Sequence, residues 1–180
     1  MKTALPYILA GLLALSVTGC STGPTYQSAV NSPYIQANYN GVEQLISSAK
    51  SLIGMQKPVV VATIVNVDSL TESSRFGRNV SEQISAKLAK MGYSVIELKL
   101  RDNIFIKQSE GELLLSREVR EVSQSHKADT VVVGTYAEGR DYIYVNLKAV
   151  NVHDNLIVAA HDYALPLDDD TLKLLKPNRH

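Results

Sequence analysis

The segment TVVVGTY at residues 130–136 decides the fold, because it is apolar on both alternating faces and is followed at once by two hairpin patterns. A strand buried on both faces belongs in the interior of a sheet. The segment VVVATIV at residues 59–65, opened by Pro58, has the same character and predicts a second central strand. Turn residues at 139–141 and 154–155 separate further strands over 142–152 and 156–165. The end of the fold is therefore predicted to be two consecutive antiparallel hairpins.

Between these strands, apolar residues recur at helical spacing and predict helices. The remaining predicted elements are a helix over 40–53, a helix over 75–91, strands over 93–98 and 104–107, and a helix over 116–127. Asn40 and Ser116 are the expected helix caps, while Gly54 and Gly92 are the expected stops. This order predicts an α+β fold, namely one domain with a mixed sheet and helices packed on one side.

The strand predicted over 142–152 changes its apolar phase. Odd positions are apolar up to Leu147, whereas Val150 and Val152 are at even positions. Because side chains alternate between the faces of a sheet, this change predicts a bulge or a sharp twist at Ala149.

The first nineteen residues have the pattern of a cleaved export signal. Lys2 is followed by an apolar run from Ala4 to Leu15, which is shorter than the roughly twenty residues that a spanning helix needs. The sequence Val17-Thr18-Gly19-Cys20 fits the bacterial lipobox, and Cys20 is the only cysteine of the chain. We therefore expect Cys20 to carry a diacylglyceryl group and an N-acyl chain such as palmitate. The alternative is an ordinary signal peptide that leaves a free thiol, which is unfavourable in an oxidising compartment.

Residues 21–38 contain no charged side chain and predict a flexible tether. Fully extended, these eighteen residues would reach roughly 60 Å. The alternative is an ordered arm in which Tyr26, Tyr34 and Tyr39 pack on the domain or on a partner. The predicted divisions are a signal peptide (1–19), a lipidated tether (20–38), an α/β domain (39–166) and a C-terminal tail (167–180). Ser21 is not the Asp that favours inner-membrane retention, so we expect the outer membrane, with the domain facing the periplasm.

The charge balance argues against two classes of partner. The chain has 18 Lys and Arg residues and 18 Asp and Glu residues, and cleavage after residue 19 would remove only Lys2. A near-neutral chain lacks the basic surface that binds nucleic acid. The sequence also has no glycine-rich phosphate loop, so we expect no nucleotide to bind.

No set of residues has the spacing of a catalytic or metal site, so we expect neither an enzyme nor a cofactor. The four histidines, at 126, 153, 161 and 180, form no i, i+4 pair for a metal. A two-residue turn at 154–155 would place His161 opposite Lys148. Asp168-Asp169-Asp170 lacks the alternating spacing of a calcium loop, and we expect it to cap a helical turn over 172–175.

Five arginines are candidates for ion pairs within the fold or with a partner, because the guanidinium group pairs with carboxylates in a planar, bidentate geometry. They are Arg75, Arg78, Arg101, Arg117 and Arg120. We interpret Arg117 and Arg120 as pairing with local acids such as Glu112 and Glu121, which would brace the loop before the helix. The alternative is a patch that faces a partner.

Several short motifs resemble the FlgO family. They are Gly77-Arg78, Glu82-Gln83, Gly92-Tyr93, Leu100-Arg101, Gly111-Glu112, Leu115-Ser116-Arg117, Gly134-Thr135-Tyr136 and Val145-Asn146-Leu147. The resemblance covers about residues 57–166, and the block over 111–117 is its most specific part. Members are outer-membrane lipoproteins linked to flagella in Vibrio-type bacteria, without known catalysis. The resemblance implies a sheet like that of the amino-terminal domain of TolB, and a structural or partner motif at Arg78, Arg101, Gly111, Glu112, Ser116 and Arg117.

Three hypotheses for function follow. The first is a non-enzymatic lipoprotein that binds flagellar basal-body or envelope proteins and supports assembly, stability or motility. The second is a lipoprotein scaffold or activator of peptidoglycan machinery, reached through the tether. An enzyme ranks third. A partner surface is expected at the edge strand near residues 156–163 or at the loop around Arg101.

Overall fold

A mixed six-stranded sheet organises the residues that the computed structural model describes, which are 23–70, 72–99 and 115–176. In chain order the elements are α1 (Tyr26–Val30), α2 (Pro33–Ser48), β1 (Val59–Ala62), β2 (Val65–Asn66), α3 (Arg75–Lys90), β3 (Val95–Leu98), α4 (Arg117–Ser125), β4 (Thr130–Glu138), β5 (Tyr142–Asn151), β6 (Ile157–Pro166) and α5 (Asp169–Leu175). The strand predicted at 104–107 lies outside the described residues.

The sheet has the order β3-β1-β4-β5-β6, and β2 also pairs with β4. β1 is parallel to β3 and to β4, whereas β5 is antiparallel to both of its neighbours. β4 is therefore the strand at which the parallel part of the sheet meets the two hairpins. The single α+β domain, the mixed sheet and the two C-terminal hairpins are confirmed.

Both faces of the sheet carry a helix, which corrects the expectation that all helices pack on one side. On one face, Val61, Val132 and Leu147 pack with the apolar stripes of α2 and α3. On the other face, Val131 and Val150 pack with Val119 of α4. The central strands are apolar on both sides for this reason.

The first predicted strand is interrupted between β1 and β2. Val61 pairs with Val132, but Val65 pairs with Thr135, so the first strand has one extra residue at this point. The backbone of Ile64 bonds to α3 and the loop before it instead of to a strand. Its N–H donates to Oγ of Ser81 at 2.8 Å, and its carbonyl accepts from Oγ of Ser73 at 2.7 Å.

The predicted irregularity at Ala149 is present, but the pattern that predicted it has another cause. The register of β5 with β6 shifts between Ala149 and Val150, and Val158 of β6 is the unpaired residue. The pairing of β5 with β4 is regular across this point. Even positions of β5 become apolar at Val150 because α4 covers the second face there. The shift also places His161 opposite Leu147, so the predicted pairing with Lys148 is wrong.

The ordered domain starts earlier than predicted. α2 begins at Pro33, and its cap is Ser32, whose side chain accepts from the N–H of Ile35. Asn40, the predicted cap, lies inside this helix, and Asn38 is fully buried. α2 therefore begins six residues before the predicted start of the domain at 39, and hydrogen bonds to Gln83 and Tyr163 compensate for the burial of Asn38 in this helix.

Gly54 was predicted to stop the first helix, and this is wrong, because α2 ends at Ser48 with Ala49 as its cap. The ends predicted at Ser116, Asp168 and Gly92 agree with the structure. Ser116 caps α4, and Asp168 caps α5 by accepting from the N–H of Thr171. Gly92 follows α3 with a φ of +92°, which glycine adopts without strain.

Candidate functional site

Of the residues singled out by the sequence, those that the structure describes do not meet in one site. Cys20, Arg101, Gly111 and Glu112 lie outside the described residues. Arg78 donates to the carbonyl of Ser73 at 2.8 Å, and Arg117 pairs with Glu121 at 2.6 Å. α3 and α4 lie on opposite faces of the sheet, so Arg78 and Arg117 do not meet. The pairing of Arg117 with Glu121 is confirmed.

A chain of hydrogen bonds that the sequence did not reveal joins α2, α3 and β6. Asn38 donates to Gln83 at 2.7 Å and accepts from the hydroxyl of Tyr163 at 2.6 Å. Asn79 accepts from Gln83 and from the hydroxyl of Tyr34, both at 3.0 Å. The signal was the spacing of Tyr34, Asn38 and Val42, which repeats every fourth residue and extends the helix stripe toward the amino terminus.

This network holds the helices in place and is poorly suited to proton transfer. Burial raises the pKa of the Tyr34 hydroxyl and of the Tyr163 hydroxyl well above the ordinary value of a tyrosine. Both groups therefore stay protonated near neutral pH and act as hydrogen-bond donors. Gly41 allows the close approach, because a Cβ there would lie 2.7 Å from the ring of Tyr163.

The domain has two chemically different ends. At one end, which we call the tether end, a cavity of about 230 Å³ is lined by Pro33 at the start of α2, Pro166 at the end of β6, and Asp168 and Leu174 around α5. Tyr142 lies at the same end, because it pairs with Pro166. Arg140 and Asp141 form an exposed ion pair in the adjoining turn.

At the opposite end, which we call the far end, Asp129 binds two basic side chains. Lys57 approaches one carboxylate oxygen at 2.5 Å, and His153 approaches the other at 3.0 Å. These hydrogen bonds, that of Lys57 first, hold the pKa of Asp129 below its ordinary value. The cluster is open to solvent, so it is an ion pair at the surface and not a buried catalytic group.

Aliphatic side chains surround this cluster. An open cavity of about 530 Å³ is lined by Leu52, Met55, Lys57 and Asp129. Leu52 and Leu156 are 65% and 63% exposed, and Met55 and Ile157 are also exposed. Exposed aliphatic side chains beside a charged cluster are typical of a surface that contacts another protein.

Residues 23–70, 72–99 and 115–176 contain no group of three or more His, Cys, Asp or Glu side chains arranged to hold a metal ion. Within the same ranges, no helix combines the length and the apolar character that crossing a membrane requires.

Comparison with protein families assigns the chain to one of them. The family model described as "FlgO protein" matches residues 39–170, which is well over half of the sequence. The chain belongs to the FlgO family. The resemblance found in the motifs is thereby confirmed, and the FlgO match includes α3, α4 and every strand of the sheet. A search of curated proteins finds no match to the sequence.

Solved structures with a similar fold include the same domain from two organisms. The LpoB C-terminal domain from Salmonella enterica has a TM-score of 0.53 at 10% identity, covering 74% of this chain and 98% of that chain. The LpoB C-terminal domain from Escherichia coli has a TM-score of 0.51 at 12% identity, with the same coverage. At these identities the similarity shows that the FlgO-family domain and LpoB share a fold.

Proposed function

We propose that this FlgO-family chain is a lipoprotein, anchored through Cys20 to the periplasmic leaflet of the outer membrane, and that it is a non-catalytic accessory factor of the flagellum. One observation carries the proposal: the family match over 39–170 is preceded, at residues 1–20, by a sequence with the pattern of an export signal that ends in a lipobox. The lipid would hold the domain at the membrane, since two or three acyl chains give stable anchoring where one does not.

The polar groups of the domain support a binding role. The buried network consists of Tyr, Asn and Gln side chains, which hold helices but supply neither a nucleophile nor a base near neutral pH. At the far end, both oxygens of Asp129 are bonded to basic partners. The exposed aliphatic side chains beside it suit contact with a flagellar envelope protein.

The anchor is tested by changing Cys20 to Ala in the chromosomal gene. We expect the mature chain to leave the outer-membrane fraction, and we expect swimming in soft agar to fall to the level of a deletion strain. Mass spectrometry of the wild-type chain should find Cys20 at the amino terminus, with diacylglyceryl and N-acyl groups. An unmodified sulfhydryl at Cys20, or retention of Met1, would contradict the proposal.

Ser21→Asp is the matched variant, since it keeps the lipidated cysteine and alters only the sorting residue. By the sorting pattern of bacterial lipoproteins, we expect this variant to remain lipidated but to fractionate with the inner membrane. Swimming should be lost although the folded domain is unchanged. Normal motility with the protein in the inner membrane would show that outer-membrane placement is not required.

A scaffold or activator of peptidoglycan machinery is the alternative function. It requires the domain to reach enzymes of the inner membrane. Because α2 begins at Pro33, only residues 21–32 are available as a tether, and five of these form α1. The short tether favours a partner close to the outer membrane. Recovery of a peptidoglycan synthase instead of basal-body proteins after crosslinking in motile cells would favour the alternative.

A further inference from the structure

We infer that the tether end of the domain rests on the lipid headgroups of the membrane, with Tyr26 and Tyr142 at the interface, while the far end points away from the bilayer. The inference rests on the proposed lipid anchor at Cys20 and adds to it an orientation of the domain.

The length of chain before α2 restricts the domain to the membrane surface. Residues 21–25 span at most about 17 Å when extended, α1 adds about 7 Å, and Asn31 and Ser32 add about 7 Å. Pro33 therefore lies within roughly 30 Å of Cys20, about half of the reach expected for an eighteen-residue tether. Tyr26 is only six residues from Cys20, so it reaches no further than about 20 Å from the anchored residue.

Three exposed tyrosines at the tether end suit a lipid interface. Tyr26 is 83% exposed, and Tyr142 and Tyr144 are about half exposed. Tyrosine combines an apolar ring with a polar hydroxyl and is enriched where hydrocarbon meets water. At the far end the exposed large apolar side chains of the described part of the chain are Leu52, Met55, Leu156 and Ile157, none of which is aromatic.

α1 is a formed helical turn that the domain does not use for packing. Thr25 and Ser28 cap it reciprocally, and none of its residues is buried. Gln36 donates to the carbonyl of Val30 at 3.4 Å, which places the end of α1 beside the first turns of α2. Tyr26 and Val30 are thus held close to the tether end with their side chains exposed.

The tether end has no excess of positive charge, so the contact depends on the aromatic side chains. Five cations accompany seven acids around α5, the turn between β4 and β5, and the start of α3 with the loop before it: Arg75, Arg78, Arg140, Lys173 and Lys176 with Asp68, Glu72, Glu138, Asp141, Asp168, Asp169 and Asp170. Attraction to anionic lipid is therefore weak. We expect the contact to change little when salt or anionic lipid is added.

The test uses tryptophan fluorescence, which has no background signal because the natural chain contains no tryptophan. Tyr26→Trp and Tyr142→Trp report on the tether end, and Leu52→Trp and Leu156→Trp are the matched variants at the far end. The lipidated full-length mature protein is placed in vesicles of phosphatidylcholine and phosphatidylethanolamine that contain lipids with brominated acyl chains. Bromine quenches tryptophan only at short range, and β5 alone separates the two ends by roughly 34 Å.

We expect the two tether-end variants to be quenched several-fold more than the two far-end variants, and equally so when phosphatidylglycerol is included. Equal quenching at both ends, or stronger quenching of Leu156→Trp, overturns the orientation. Mass spectrometry of the same preparations separates this result from the proposed function. Lipid on Cys20 with no preferential quenching refutes only the orientation, whereas an unmodified Cys20 refutes both.

Discussion

Asn38 is the residue on which the position of α2 depends most directly. Its side chain is fully buried and makes one hydrogen bond to Gln83 on α3 and one to Tyr163 on β6. A buried polar group that loses its partner costs about 1–3 kcal/mol, so removal of this amide affects two groups at once. We therefore expect a substitution at Asn38 to destabilise the fold more than one at an exposed position of α2.

For Asn38→Ala we expect the free energy of unfolding to fall by about 2–3 kcal/mol, because Gln83 and Tyr163 both lose a hydrogen-bond partner. The measurement is urea unfolding of the mature chain carrying Cys20→Ala. Gln44→Ala on the exposed side of the same helix is the control, with an expected change below about 0.5 kcal/mol. Equal losses in the two variants would show that the network contributes nothing.

Sequence patterns identified the apolar core at the residue scale but missed these polar contacts. Val42, Leu45 and Ile46 were correctly placed on the inner side of the first helix. Polar composition favours a loop and so predicts a tether at Tyr34 and Asn38, with packing of Tyr34 on the domain as the alternative. The spacing of these residues with Val42 indicates an inner helix face, but the partners of Asn38, Gln83 and Tyr163, are 45 and 125 residues away in the sequence, so no local pattern identifies them.

Among the elements, α3 is fixed to the break between β1 and β2 by one serine. Oγ of Ser81 accepts from the N–H of Ile64 and donates to the carbonyl of Gly77, both at 2.8 Å. The side chain is 2% exposed, so water does not replace it easily. The helix therefore provides the hydrogen bond that the interrupted strand lacks.

Ser81→Ala should lower the free energy of unfolding by about 1–3 kcal/mol, because the N–H of Ile64 would remain buried without an acceptor. Ser85→Ala is the matched control one turn later, where the hydroxyl bonds only to the carbonyl of Ser81. We expect that control to change stability by less than about 0.5 kcal/mol. Chemical denaturation of both variants decides the question; a similar effect at the two positions would be inconsistent with the proposed bond.

At α5, the cap Asp168 gives a pH-dependent contribution. Hydrogen bonds, chiefly from the backbone of Thr171, lower the pKa of its carboxyl below the ordinary value of 3.8. A lowered pKa in the folded state means that the stabilisation is present above 3.8 and is lost as pH falls through the folded value.

We expect Asp168→Ala to cost about 0.5–1 kcal/mol at neutral pH, the lower range for a surface cap. This difference from wild type should shrink as pH falls below the ordinary Asp value. Asp168→Asn keeps the capping oxygen without a titrating group, so its stability should show less of that pH dependence. Unfolding curves at several pH values test this; a cost of Asp168→Ala that is constant with pH would be contrary to the expectation.

The element order was largely predictable, whereas the arrangement of layers was not. Helical and strand periods gave α3, α4 and the two hairpins with errors of one or two residues. The apolar change in β5 was interpreted as a local irregularity, although much of it reflects coverage of the second face by α4. Periodicity shows which side of a strand is apolar, but it does not show which helix covers that side.

For the whole molecule, the far end is the expected contact surface for a flagellar partner. Leu156→Glu places a charge among exposed aliphatic side chains and should reduce swimming in soft agar to that of the deletion strain. The residue is 63% exposed, so stability should change by less than about 0.5 kcal/mol. Gln44→Glu, exposed on α2, is the control and should swim normally. Normal swimming of Leu156→Glu would place the partner surface elsewhere.

The central position of β4 also determines when the chain can fold. β1 and β5 both pair with this strand, and it begins only at Thr130. During synthesis, the first 129 residues therefore lack the strand around which both halves assemble, and contacts of such long sequence separation form slowly. We expect a nascent polypeptide of this design to lack its sheet until its last third leaves the ribosome, a state that suits translocation of an unfolded chain through a narrow channel.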